Sequence, residues 1–262
     1  MTMTEQVRYT VADGVAEIAL ERPPVNALTV ELIEDVNAAL RRAGADDAVR
    51  AVILTSAFDK VFCAGLDLSM VHGATGLGMR RFLDRLYLEL YDIQYRLGKP
   101  SISAVRGAAR AGGMTLAVSC DVVVAGEGAS FGYPEVDVGL IPALHFVHLP
   151  RQVGRHKAFE LLFSAKPFSA AEAERIGLIG CVVPDDQVLD KARELARDFA
   201  AKSPTVMRIG RDAFLRANDR DYRRDIEHMA EVMCNLVETE DSKEALAAFL
   251  EKRPPRWPSA GG

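Results

Sequence analysis

Three short stretches carry residue types that could do chemistry: FCAGLDL at 62–68, ARAGGMTLAVSCD at 109–121 and YPE at 133–135. In the first two, small residues leave the backbone uncovered, so that N–H groups can point at a ligand oxygen. The second opens a helix, where the first N–H groups lack internal partners and carry the positive end of the dipole. Two convergent donors of this kind stabilise negative charge developing on a carbonyl oxygen. Tight packing or a turn would require the same glycines, and spacing alone does not separate the two readings. Glu135 offers a carboxyl group among Val136, Val138, Leu140 and Ile141, apolar surroundings that raise a carboxylate pKa. Taken alone it would serve equally as a helix-start cap.

Other chemistries lack their motifs. There is no G-x-S-x-G elbow and no phosphate-binding loop, and GATGLG at 73–78 has the wrong order and context for a dinucleotide fingerprint. His145 and His148 stand three apart with no carboxylate or third histidine near them in sequence, so no metal is expected. Cys63, Cys120, Cys181 and Cys234 form no C-x-x-C pair and read as free thiols of a reducing compartment. Cys63 adjoins the first small-residue loop without a clear base and reads as packing.

The elements that must hold these stretches follow from periodicity. VRYTVAD and GVAEIAL alternate around Asp13-Gly14 as a hairpin, and ERPPVNAL is a proline-stiffened loop. Leu32, Ile33, Val36, Ala39 and Leu40 recur at helical spacing. VRAVILTSA is a strand covered on both faces. KVFCAGLDL reads as a loop, followed by a Gly-rich stretch and a helix through about Leu97. SISAVRG and DVVVAG are strands flanking the helix begun by AGG, and ASFGYPEVDVGLIP reads as a loop. Beyond Pro142 helices dominate, with GCVVP the last strand. Ser169 with Glu172 and Ser203 before Pro204 mark helix starts, and breaks fall near Ser203 and Asn218–Asp221. This is an α/β chain with a repeating strand-strand-helix unit and a helical last third.

The 262 residues are 49% hydrophobic and 26% charged, with a formal net charge of -5 and no long basic block. That balance argues against a nucleic-acid surface or an anionic membrane. No apolar run reaches the roughly 18 residues of a membrane span and no secretory signal is visible, so a cytoplasmic location is expected.

FCAGLDL, AVRGAARAGGMTLAVSCD and FGYPEVDVGLIP, in that order, resemble the crotonase superfamily, the enoyl-CoA hydratases and isomerases. ERPPVNAL, FSAAEAERIGLI at 168–179 and AFLEKRPPRW near the end extend the resemblance over nearly the whole chain. It implies a spiral of ββα units over residues 1–195, and a helical region at 196–262 that builds trimers, often paired into hexamers, and lids the site. It implies an acyl-coenzyme A thioester as substrate in fatty acid metabolism, with no permanently bound cofactor.

By the same resemblance the oxyanion donors are the N–H groups of Leu66 and Gly112. Ala111 stands where the family has another glycine, a mild change because that position supplies no donor. Arg22, Val25, Ala64, Gly65, Asp67, Leu68, Gly113 and Lys252 match positions around coenzyme A and substrate, with Arg22 a partner for a phosphate and Asp67 structural or near the coenzyme. Thr115, Tyr133, Ala143 and His145 line the site.

A hydratase of this family resembles a two-acid machine, with one glutamate three residues after the oxyanion glycine and another in the following P-E. The second is present as Glu135. The first falls on Thr115, which does not titrate in a useful range. One carboxylate suffices to move a double bond, so the expected reaction is isomerisation. Hydration by another group, thioester hydrolysis, decarboxylation, or acyl-CoA binding without turnover are the alternatives. Pro142-Ala143-Leu144-His145-Phe146 replaces a P-G-A-G-G-like stretch and should narrow or reshape the site.

Overall fold

A computed structural model describes residues 6–72 and 75–257. Gly73 and Ala74, in the Gly-rich stretch, lie outside them.

The chain opens with β1 (Val7–Ala12) and β2 (Val15–Leu20), antiparallel about Asp13-Gly14 as the alternation predicts. Both turn residues have positive φ, the conformation that two-residue hairpins demand. Helix α1 (Val30–Ala45) follows, its first turn capped by the Thr29 hydroxyl, which accepts from the Leu32 N–H.

Three successive units then each deliver one strand to each of two sheets. The pairs are β3 (Ala51–Ser56) with β4 (Val61–Cys63), β5 (Ser101–Val105) with β6 (Ala108–Arg110), and β7 (Val122–Gly126) with β8 (Ser130–Gly132). β3, β5 and β7 are parallel neighbours in a six-stranded sheet, ordered β1-β2-β3-β5-β7-β10. β4, β6 and β8 are parallel neighbours in a four-stranded sheet closed by β9. Here β9 is Phe168–Ser169 and β10 is Cys181–Val183. The second sheet is therefore absent from the periodicity reading, which took its strands for loop or merged them with neighbours. Each is only two or three residues long, too short to show a period of two.

Between β4 and β5 run α2 (Leu68–Val71), α3 (Gly76–Leu83), a π-helical segment (Asp84–Glu89) and α4 (Leu90–Arg96). Helix α5 (Gly112–Val118) joins β6 to β7. After β8 come a 3₁₀ turn (Pro134–Val138), α6 (Ala143–Val153), α7 (Arg155–Ser164) and α8 (Ala170–Arg175). Helix α9 (Val188–Ala200) spans the 195/196 boundary and covers the outer face of the larger sheet, burying Val188, Ala192 and Ala196 against Ala51, Ile53, Ile102 and Val124. Val52 and Leu54 face the opposite, main core. Two covered faces explain why β3 reads as an unbroken apolar run.

α10 (Pro204–Asn218), α11 (Tyr222–Val237) and α12 (Glu240–Leu250) complete the chain, the last two separated by a break at Glu238–Thr239 that periodicity did not reveal. Ser169 and Ser203 cap α8 and α10, as their spacing predicts. Among the described residues no helix is long and apolar enough to cross a membrane.

Candidate active site

The loop after β4 and the turn before α5 pack directly against each other. A Cβ on Gly65, whose φ is +92°, would lie 2.9 Å from the Ala111 Cβ and 3.0 Å from the Arg110 carbonyl oxygen. A Cβ on Gly112 would lie 2.7 Å from Leu28 Cδ1 and 3.1 Å from Leu66 Cδ1, and one on Gly113 would run into the Cys63 carbonyl. Gly113, expected beside the substrate, is thus buried and taken up by packing. The packing reading of the small-residue loops holds for all three glycines.

The backbone also shows which donors are free. Leu28 donates to the Gly65 carbonyl (2.7 Å) and Asp67 donates to the Leu28 carbonyl (3.0 Å), so the intervening Leu66 N–H faces away from Leu28. Gly112 opens α5, where an N–H has no intrahelical acceptor. Neither N–H has a hydrogen-bond partner among the described residues. Two unpaired amides on touching loops are the elements of an oxyanion hole.

Ala111 holds this turn at φ +48°, ψ -119°. An L side chain is strained in such a conformation, which costs on the order of 1–3 kcal/mol. The Ala-for-Gly change is therefore neutral for hydrogen-bond donation but not for the backbone. The Ala111 carbonyl is held by the N–H groups of Met114 (2.8 Å) and Thr115 (3.3 Å).

The coenzyme-side residues knit the 22–28 loop to the 64–68 loop. Arg22 pairs with Asp67 (Nη2 to Oδ2, 3.0 Å) and donates to the Ala27 carbonyl, and Ala64 donates to the Val25 carbonyl. Asp67 also caps α2, accepting from the Ser69 N–H and hydroxyl, and these bonds hold its carboxyl below the usual range. Leu68 begins α2, and Ala64 and Lys252 are exposed. A residue missed in the sequence, Asn26, fixes the pair of loops from inside. It is buried at φ +51°, its amide donates to Ser56 Oγ and the Phe62 carbonyl, and its side-chain oxygen accepts from the Arg22 N–H. An asparagine between apolar residues in a proline-stiffened loop was the available signal, since Asn tolerates positive φ. Burial pushes the Cys63 thiol up to about 12, consistent with packing.

Glu135 is 8% exposed, on the 3₁₀ turn after β8. That turn ends on Gly139, whose carbonyl accepts from Ser242 Oγ of α12 at 2.6 Å, so the last helix of the chain seats the carboxylate. Burial pushes the Glu135 carboxyl up to about 8, and Oε2 has no hydrogen-bond partner among the described residues. Its neighbours Tyr133 and Tyr87 are buried, and its charge helps raise both phenols.

Thr115 lies one turn into α5, 3% exposed, with Oγ1 3.3 Å from His145 Nε2. The ring of His145 lies 4.6 Å, centroid to centroid, from that of Tyr133. His148, one turn on, has Nδ1 3.3 Å from the Tyr222 hydroxyl. Burial pushes His145 down to about 3 and His148 down to about 4, so both are neutral near pH 7. His145 is thus a neutral imidazole in contact with Thr115, without an imidazolium proton to deliver. Ala143 and Leu144 are buried with it at the start of α6, so the 142–146 stretch is mostly helix rather than loop.

The family model described as "Enoyl-CoA hydratase/isomerase" matches residues 10–260. The chain belongs to the enoyl-CoA hydratase/isomerase family. Its relatives include the short-chain-enoyl-CoA hydratase of Clostridium acetobutylicum, 34% identical over 91% of this chain and 92% of that protein. An enoyl-CoA hydratase structure from Bacillus anthracis is 32% identical with a TM-score of 0.77, over 96% of this chain and 98% of that one. Human mitochondrial Δ3-Δ2-enoyl-CoA isomerase is 25% identical with a TM-score of 0.85, over 94% and 97%. The paired sheets and helical last third are the crotonase fold of this family.

Two outcomes test the geometry. Ala111→Gly relieves the strain at a cost of roughly 0.5–1 kcal/mol in unfolded-chain entropy. It should stabilise the protein by about 1 kcal/mol, raising the thermal midpoint by about 2–4 °C for a chain of this size. For the buried histidines, the unfolded chain takes up protons below about 6.5 while folded His148 does so only near 4, so acidification through that window removes stability. Glu135 acts oppositely between 4.5 and about 8 because its folded form keeps the proton. The difference between wild type and His148→Gln isolates the histidine, and urea titrations from pH 7 to 5 should show it shrinking by roughly 1 kcal/mol per pH unit.

Proposed function

We propose that this family member isomerises 3-enoyl-CoA thioesters to 2-enoyl-CoA, with Glu135 as the only proton carrier. The observation that carries the reading is that Glu135 is the one buried carboxyl among the described residues, in a chain with a pair of unpaired amides, and with Thr115 and a neutral His145 where a second acid would stand. The thioester oxygen accepts from the Leu66 and Gly112 N–H groups. Glu135 removes a proton from C2, and the negative charge moves to that oxygen as a dienolate. The same carboxylic acid then returns the proton to C4, leaving the double bond between C2 and C3 and Glu135 ionised again. A carboxyl poised near 8 exchanges a proton in both directions at neutral pH.

Hydration is the second reading. The names of the relatives mostly say hydratase, and the Thr115–His145 pair offers a polar anchor for water. Thr115 supplies no base and His145 none of useful strength, so water would depend on Glu135 as well.

The coenzyme enters between the 22–28 and 64–68 loops, its phosphates met by Arg22 from its ion pair and by Lys252. Copies of the chain assemble as a trimer or a pair of trimers. Val206, Ile209 and Phe214 of α10 and Phe159 and Phe163 of α7, all exposed in the single chain, support this assembly.

Wild type and Glu135→Gln are compared on 3-enoyl- and 2-enoyl-CoA in deuterated water. Wild type should isomerise the 3-enoyl ester and label it at C2 or C4, and the variant should lose about 10²–10⁴-fold in rate. Unchanged isomerisation in Glu135→Gln would remove Glu135 from the mechanism, and faster hydration than isomerisation by wild type would favour the second reading. Because the base form is the ionised carboxylate, kcat/KM should rise about tenfold per pH unit below about 8 and level off above it. Light scattering of the purified protein should give three or six times the chain mass.

A further inference from the structure

Thr115 does more than omit an acid, because it also forms part of the wall of a second space. A cavity of about 740 Å³ lies between α4, the C-terminal half of α5, α6 and α10. Thr115, Leu86, Tyr87 and Leu144 form the end nearest the oxyanion amides. Leu86 also abuts Gly112, and the charge of Glu135 reaches Tyr87, so this end adjoins the reacting groups. The π-helical segment that turns Leu86 and Tyr87 toward the site is a distortion often found at functional positions. Helix α10 roofs the cavity, with Val206, Met207, Gly210 and Phe214 among the lining residues.

The far end is polar in a specific way. Gln94 is 4% exposed, and its amide nitrogen donates to Ser119 Oγ and Cys120 Sγ while its oxygen has no partner among the described residues. His148 and Tyr222 line the same cavity as a bonded pair, and His148 Nε2 has no hydrogen-bond partner. The cationic side chains at the rim are already neutralised, Arg211 by Asp121 at 2.8 Å and Arg151 by Asp225 at 2.9 Å. An unsatisfied buried acceptor with no free cation favours a neutral donor over a carboxylate. By contrast, a groove of similar size between α1 and α4 is lined mainly by charges paired with each other, Arg85 with Glu34 and Arg41 with Glu89, and none of its lining side chains has a buried polar atom without a partner.

We propose that this cavity receives the acyl tail of the thioester, and that the preferred tail is of medium length and ends in a neutral hydrogen-bond donor such as a hydroxyl, met by Gln94 Oε1. This deepens the reading of the site as an acyl-CoA site and rests on it. Along α5 the distance from Gly112 to Ser119, beside Gln94, is about 10 Å. A short acyl chain cannot bridge that span, and a medium one can. The small side chain of Thr115 leaves the passage open where a glutamate would project into it.

The test reads binding rather than turnover, so that it stands apart from the choice of reaction. Dissociation constants are measured by calorimetry for butyryl-, decanoyl- and 10-hydroxydecanoyl-CoA. Wild type should bind the decanoyl ester at least tenfold more tightly than the butyryl ester, and the hydroxylated ester about tenfold more tightly again. Gly210 lines the cavity, and a Cβ there meets nothing within 4 Å, so Gly210→Phe fills the space without straining the helix. It should lower the decanoyl-to-butyryl affinity ratio about tenfold. Gln94→Leu should abolish the preference for the hydroxyl while keeping the preference for length. Equal binding of all three esters by wild type would overturn the proposal, as would an unchanged ratio in Gly210→Phe, the result expected if a second copy of the chain fills the cavity. Length and hydroxyl preferences without isomerisation would count against the reaction proposed above and leave this inference standing.

Discussion

Two backbone N–H groups must be kept side by side, unpaired and shielded from their own protein, and most of the structure around the site follows from that requirement. Unpaired buried amides are costly, so the chain has to prevent both loops from satisfying themselves. It does so through neighbours of each donor. Leu28 bonds to Gly65 and Asp67 on either side of Leu66, and the Ala111 carbonyl is bound by Met114 and Thr115 on the far side of the peptide that carries the Gly112 N–H. In a trans peptide the carbonyl and the N–H point opposite ways. Binding the carbonyl inside α5 therefore aims the N–H out of it. The strained Ala111 is the local cost of that orientation, and Gly65 and Gly113 let the second loop come close enough to complete it.

The carboxylate is placed by an independent route, through a different sheet strand and the last helix. Its raised pKa has one dominant cause, burial, opposed only weakly by its own backbone. Among the described residues no second carboxylate contributes to the shift, so like-charge repulsion plays no part. That separates two properties that a two-acid site would couple. The proton affinity of Glu135 depends on how well α12, Tyr87 and Tyr133 keep water away, and the charge on the thioester depends on the amides alone.

Much of this was legible in the sequence, and what was missed has physical causes. Long elements with a strong period, such as α1 and the hairpin, are set by local patterning, and β3 announced its two covered faces. The serine caps at 169 and 203 bond as their spacing predicts. The short strands β4, β6 and β8 are fixed by pairing with one another across the spiral, an interaction between residues some 20 to 50 positions apart that leaves no local pattern. The same holds for Asn26, whose amide serves residues 56 and 62, and for Ser242, which holds a turn a hundred residues earlier. Arg22 was read as a partner for a phosphate, and its pairing with Asp67, 45 residues on, leaves no local pattern. Family resemblance offered Leu66, Gly112 and Glu135 as candidates, but the strain at Ala111 is a backbone property, and no count of donors would have disclosed it.

Thr115 and His145 constrain each other. The hydroxyl and the imidazole are in contact at 3.3 Å, and both are almost wholly buried. A glutamate at 115 would set a carboxylate against that ring, in a space where burial drives His145 strongly toward its neutral form. The pair would then hold either an uncompensated buried charge or a buried ion pair whose desolvation offsets much of its attraction. A small polar residue avoids both. Conversely, a small residue opposite Thr115 in place of His145 would leave the hydroxyl without its partner and the Tyr133 ring without the imidazole packed against it. The bulk of Leu144 and His145 and the smallness of Thr115 thus support each other.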